Sequence, residues 1–119
     1  MSIAVDESGD VRIVRVKEAK LTYTVLGPFF ADVQQLVEGG ARRLLLDLRE
    51  VAYMDSASIG CLMDIRRLLQ AHKGVFGLCG LQPRVETMIS MTGVLNLIAA
   101  YRDEATALAA IGSAAANGE

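Results

Sequence analysis

The stretch "YMDSASIG", Tyr53 to Gly60, sets one carboxylate and two hydroxyls close together at Asp55, Ser56 and Ser58. They stand between an apolar run and a helical pattern, and two kinds of chemistry fit them. An Asp or Ser at a helix boundary accepts a hydrogen bond from the first helical N–H groups, which lack partners inside the helix. Such a cap contributes about 1 kcal/mol. An exposed hydroxyl at the same place is also a good phosphate acceptor, because the phosphoryl group meets free N–H groups and the positive end of the helix dipole. Phosphorylation there adds roughly two negative charges to the surface without unfolding it. A partner docking on that surface would meet charge that it cannot desolvate cheaply. On these residues alone the cap is the favoured reading, and the switch stays open.

Hydrolytic chemistry finds little support. The single histidine, His72, falls at the far end of the predicted helix from Ser56, ~24 Å away at helical rise. Asp47, Glu50, Asp55 and Asp64 could be taken for paired acids, but no nucleophile, base and orienting group accompany them. We therefore expect no enzyme, no catalytic residues and no cofactor. Cys61 and Cys79 lie far apart with no CxxC partner, so they read as reduced, buried thiols, and no metal site is expected.

At 119 residues and 52% apolar composition, the chain fits one domain with a real core. A net charge of -2 argues against direct nucleic-acid binding, which calls for a basic surface. No apolar run approaches the ~20 residues that span a bilayer, so no membrane insertion is expected. The opening "MSIAVDESGD" lacks the basic and apolar regions of a secretory signal. The expected location is cytoplasmic.

These residues need elements to hold them. "VRIVRVK", Val11 to Lys17, and "LTYTV", Leu21 to Val25, read as strands. Pro28 suits the first turn of a helix whose stripe is Phe29, Phe30, Val33, Leu36 and Val37, with Gly39-Gly40 as the stop. "RRLLLDL", Arg42 to Leu48, reads as a strand buried on both faces. Ser56 to His72 reads as a helix with Leu62, Ile65 and Leu69 inward and Gly60, Asp64 and Arg67 outward. Met63 lies at the border of these faces. "VFGLCG", Val75 to Gly80, is a second buried strand, and Pro83 opens a helix closed by Gly93. "LNLIAAY" holds a short edge strand, Asp103 caps a last helix from Glu104 to Ile111, and "GSAAANGE" is expected to fray. Strands alternating with helices predict an α/β fold, with function where strand C-termini meet helix N-termini. Asp55, Ser56 and Ser58 fall there.

"LLLDLREVAYMDSASIGCLMDIRRLLQAHKG" and "VFGLCGLQPRVETMISMTGVLNLI" together resemble the STAS domain family of anti-sigma factor antagonists and sulfate-transporter tails. The resemblance covers roughly residues 5 to 112 and is strongest across Leu44 to Gly60. It implies a single STAS-like domain over residues 1–112, a mixed central β-sheet with about four α-helices packed on it, and a frayed tail over 113–119. It implies further that Ser56 is the regulated serine. Two departures stand out. Ser58 replaces a frequent glycine, which makes it the second candidate for phosphorylation, and "KEAKLTYTVLGPFF" lacks a Gly-x-Leu/Ile-Asp turn common in the family.

By this resemblance, the unphosphorylated chain binds an anti-sigma factor with serine kinase activity and so releases a sigma factor. Phosphorylation of Ser56 ends the complex, and a PP2C-type phosphatase resets it. The contact face would be Asp55, Ser56, Ser58, Gly60, Met63, Asp64 and Arg67. Glycine at 60 allows close backbone approach, although the last three also fit an ordinary solvated helix face. The alternative is a cytoplasmic STAS docking subunit of an ABC-type lipid transporter or signalling assembly, without a phospho-switch. A phospho-aspartate receiver centred on Asp47 is set aside, because the acidic Mg²⁺ cluster and the late lysine are missing. Oligomeric state stays open.

Overall fold

A computed structural model describes residues 2–117, with side chains described through Gly112. The chain enters as β1 (Ile3–Ser8), turns, and returns antiparallel as β2 (Val11–Val16). Then follow β3 (Lys20–Leu21), α1 (Tyr23–Glu38), β4 (Arg43–Asp47), β5 (Tyr53–Met54) and α2 (Ser56–Ala71). The second half carries β6 (Val75–Cys79), α3 (Pro83–Ser90), a 3₁₀ turn at Val94–Asn96, β7 (Ala99–Tyr101) and α4 (Glu104–Asn117). The main sheet has the order β1-β2-β4-β6-β7. Only its β1–β2 pair is antiparallel; the pairs β2–β4, β4–β6 and β6–β7 are parallel. The fold is the expected α/β type, a mixed sheet with four helices on it.

The three leucines of β4 show why the sheet needs covers on both sides. Successive side chains of a strand point to opposite faces. Leu44 and Leu46 join a core with Phe29, Val33 and Val37 of α1 and with Leu62, Ile65 and Leu69 of α2. Leu45 points the other way and packs with Ala107 and Ile111 of α4. All three leucines are fully buried.

Three expectations change. The β1–β2 hairpin was not predicted, although Gly9-Asp10 between two alternating runs is its turn. The pairing of Ser8 with Val11 leaves these two residues as the loop, and Gly9 sits at φ 57°, a left-handed conformation that glycine adopts at little cost. Leu21 to Val25 is not a strand. Only Lys20–Leu21 is extended, Thr22 takes N-cap geometry, and α1 begins at Tyr23. Pro28 is therefore inside α1 rather than in its first turn. It is exposed, and the Thr24 carbonyl that loses an N–H partner belongs to an exposed residue as well, so water can satisfy it. Finally, α4 continues past Ile111 to Asn117, through most of the stretch expected to fray. Residues 118–119 lie outside the described residues.

Gly74 joins α2 to β6 where there is no room for a side chain. A Cβ there would stand 2.5 Å from the Arg42 carbonyl oxygen and 2.9 Å from Leu69 Cδ2. Gly74→Ala is expected to lower stability by about 1–3 kcal/mol through overpacking. Chemical denaturation checks this, and an unchanged midpoint would count against the close approach.

Candidate functional site

The site is assembled by a second, very short sheet. β3 and β5 run parallel, pairing Lys20 with Tyr53 and Leu21 with Met54. The Ala19 carbonyl accepts from Ala52 N–H at 2.7 Å and Tyr53 N–H at 3.1 Å. These bonds lay the entry to α2 beside the entry to α1, although 32 residues separate Tyr23 from Asp55.

Asp55 uses that proximity. It is the N-cap of α2, in extended conformation at φ -93° and ψ 176°. Its Oδ1 accepts from the Ser58 N–H at 2.8 Å and from the Ser58 hydroxyl at 2.6 Å. Its Oδ2 accepts from the Tyr23 N–H, the first residue of α1, at 2.9 Å. Thr22, the formal N-cap of α1, contributes no side-chain capping bond. One carboxylate thus serves two helix N-termini. The Ser58 hydroxyl, joined by the N–H groups of Tyr23 and Ser58, outweighs the effect of burial and holds the Asp55 carboxyl below the usual carboxylate range.

Ser58 is fully buried, at 0% exposure. Its hydroxyl also approaches the Leu21 carbonyl oxygen. One hydroxyl proton is therefore shared between a carbonyl and a carboxylate. This corrects the picture of two exposed serines: Ser58 faces inward and is occupied, so it does not present a hydroxyl to another protein. Ser56 is exposed and is the first residue of α2, outside the Asp55–Ser58 network. Of the two cap candidates, Asp55 is the cap.

Ser56, Gly60, Asp64 and Arg67 follow one another along the exposed side of α2, with Met63 half-buried at its margin. A Cβ at Gly60 would meet nothing within 4 Å. Neither packing nor backbone conformation requires glycine there. Asp64 and Arg67 pair with each other on the open surface, an arrangement that adds little stability. His72 terminates the far end of α2, its Nδ1 3.0 Å from the Leu68 carbonyl oxygen. Cys61 and Cys79 are buried free thiols, each pushed up to about 11, burial being the first cause.

The loop leading to Tyr53 is anchored at its start by Asp47, which is 3% exposed. Asp47 Oδ2 accepts from Arg15 Nη1 at 2.8 Å and Arg49 Nε at 2.9 Å, and its Oδ1 accepts from the Arg49 N–H at 3.1 Å. Burial pushes this carboxyl up, but the Arg49 and Arg15 bonds prevail and leave it below its ordinary value. Arg15 also meets Asp6 at 2.6 Å and Glu104 at 2.5 Å. So closed in, Asp47 is not the open phosphate acceptor of a receiver. Among the described residues no group of three or more His, Cys, Asp or Glu side chains could hold a metal ion. Nor is any of their helices long and apolar enough to cross a membrane.

Sequence patterns missed Leu21, Tyr23 and Tyr53 as members of the site. Their one local signal was the polar Thr22 before an apolar helix; the rest depends on β3 meeting β5.

The family description "STAS domain" matches residues 2–107. The chain belongs to the STAS domain family. It is similar to BtrV of Bordetella bronchiseptica, assigned as an anti-sigma factor antagonist, with 29% identity over 84 residues covering 71% of this chain and 72% of that protein. Its fold resembles that of an anti-sigma factor antagonist from Mycobacterium paratuberculosis, with TM-score 0.83, 21% identity and 92% of each chain covered. It also resembles the Bacillus cell fate determinant SpoIIAA in its phosphorylated form, with TM-score 0.67, 16% identity, and 88% of this chain and 96% of that chain covered. In this STAS domain, the short β3–β5 sheet is what brings the serine-bearing helix to α1.

Two expectations follow for this STAS domain. Asp55→Ala should cost about 2 kcal/mol, the upper end for one cap, since two helices lose an acceptor. Asp55 titrates lower when folded, so its contribution is present above the unfolded value and is lost as pH falls through the folded one. The stability gap between wild type and Asp55→Asn should therefore be constant above about pH 5 and shrink as pH falls below it, through about pH 4 and on downward. Denaturation across that range checks both, and a gap independent of pH would reject the carboxylate's dual role.

Proposed function

We propose that the protein is an anti-sigma factor antagonist whose switch is Ser56. The unphosphorylated form binds an anti-sigma factor with serine kinase activity through the exposed side of α2, and binding frees a sigma factor. Phosphate on Ser56 breaks the complex, and a PP2C-type phosphatase restores it. The observation that carries this reading is the contrast between two neighbouring serines: Ser56 is exposed at the helix head, while Ser58 is buried and engaged. The names of the relatives support the antagonist role, and the phosphorylated state of the structurally similar SpoIIAA agrees with a phospho-switch on this fold.

The physics favours a switch that acts on the surface rather than on the fold. A phosphate at the first residue of α2 lies at the positive end of the helix dipole. The Asp55 carboxylate one residue earlier already offsets part of that field, so the added charge is directed largely at whatever docks there. Because Asp55 is the cap, Ser56→Ala should change stability by less than about 0.5 kcal/mol.

Incubation with the kinase and ATP should add one phosphate, located at Ser56 by mass spectrometry. Ser56→Asp should weaken binding to the anti-sigma factor while leaving the circular dichroism spectrum unchanged. An unmodified Ser56 would instead favour a docking subunit without a switch.

Gly60 offers an independent check. Alanine suits a helix interior better than glycine by about 1 kcal/mol, and there is space for its methyl group. Gly60→Ala should raise the thermal midpoint and at the same time weaken partner binding. A variant that is more stable and binds equally well would remove Gly60 from the interface.

A further inference from the structure

The chain has three tyrosines, three phenylalanines and no tryptophan. Phe29 is buried, and Phe30, Phe76 and Tyr101 are half-buried. The aromatic surface left open is that of Tyr23, 71% exposed, and Tyr53, 40% exposed. Both stand at the head of α2. The Tyr23 N–H is bonded to the Asp55 carboxylate. Tyr53 lies two residues before Asp55 and pairs with Lys20 across the short β3–β5 sheet. Core packing does not explain a ring as exposed as that of Tyr23, which gains little from folding.

We propose that Tyr23 and Tyr53 are the anchors by which the anti-sigma factor is held at Ser56, their rings seating on an apolar shelf of that partner. The proposal rests on the reading of Ser56 as the switch and names the side chains that supply binding energy beside it. Three features favour a protein partner at this place. Tyrosine combines a large apolar area with few rotatable bonds, which suits it to interface anchors. The backbones of both residues are already fixed, Tyr23 by Asp55 and Tyr53 by the Ala19 carbonyl at 3.1 Å. Little backbone entropy is then lost on docking. Both residues also flank the start of α2 through their backbones, Tyr23 bonded to Asp55 and Tyr53 three positions before Ser56, so a partner covering both rings would have a phosphate dianion at Ser56 forced into the same contact. Affinity would come from the rings and control from the serine.

The test uses the full chain and the purified anti-sigma factor that phosphorylates Ser56. Tyr23→Ala and Tyr53→Ala should each raise the Kd about tenfold or more. Tyr23→Phe and Tyr53→Phe should bind within about threefold of wild type, because the ring is what is buried. Leu97→Ala is the control. Leu97 is 52% exposed, but its carbonyl is tied to Arg66 in the second half of α2, away from Ser56; its loss should leave binding unchanged. Iodination of the wild-type complex should protect Tyr23 and Tyr53 relative to the free chain, a readout that needs no variant to fold. Tyrosine variants that bind as wild type, while Ser56→Asp does not bind, would overturn the anchors and leave the switch standing. Equal weakening by Leu97→Ala would also overturn them. Failure of the wild-type chain to bind any anti-sigma factor would remove the switch and the anchors together.

Discussion

The structure of the site depends on one carboxylate shared by two helices. A helix N-terminus leaves N–H groups without partners, and each helix ordinarily meets that need with its own cap. Here α1 begins after a threonine that makes no side-chain capping bond, and the need is met by Asp55 of another segment. The same carboxylate caps α2 through Ser58. Two positive helix ends therefore converge on one negative charge, which keeps the charge ionised and the two helices in register. The exposed residues beside it, Ser56, Tyr23 and Tyr53, acquire fixed positions as a consequence. The switch proposed at Ser56 would add charge beside this clasp without changing its shape.

The rest of the molecule holds that clasp in place from below. β4 delivers the chain to the carboxyl edge of the sheet, where Asp47 turns it with Arg15 and Arg49. A pair of arginines around a buried aspartate is costly to desolvate and depends on complete hydrogen bonding. That condition is met here, since both carboxylate oxygens of Asp47 have donors. The network spans β2, β4 and α4 and lies on the α4 side of the sheet, where Cys79 shares a cluster with Leu45. Ser56 is on the other side, at the head of α2. The two faces thus divide the work: α4 closes the core, and the helices opposite carry the proposed partner surface.

Much of the fold was legible in local pattern. The triple leucine of β4 announced a strand covered on both faces, and the stripes of α1 and α2 included Phe29, Val33 and Val37 and Leu62, Ile65 and Leu69, all buried, although Phe30 and Leu36 are only half-buried. Prolines and glycines marked most helix ends. The errors came where local preference was overruled. Thr22, Tyr23 and Val25 are all acceptable in a strand, and Pro28 looks like a helix start. No window of sequence around them shows that the Tyr23 N–H will find an acceptor 32 residues away. The β1–β2 hairpin, by contrast, is local: Gly9-Asp10 between two extended runs carries its turn.

By itself, the sequence determined that Asp55 and Ser56 begin a helix at the edge of a buried strand, because caps and apolar periodicity are local properties. It also marked the departure at Ser58. Only the tertiary structure decided what each of the three does. Two hydroxyls of the same type, two positions apart on a helix, point in directions about 200° apart at ~100° per residue. Which direction is inward depends on where α1 and Leu21 lie. With α1 docked against α2, Ser58 becomes a buried partner of Asp55 and Leu21, and Ser56 is left facing out.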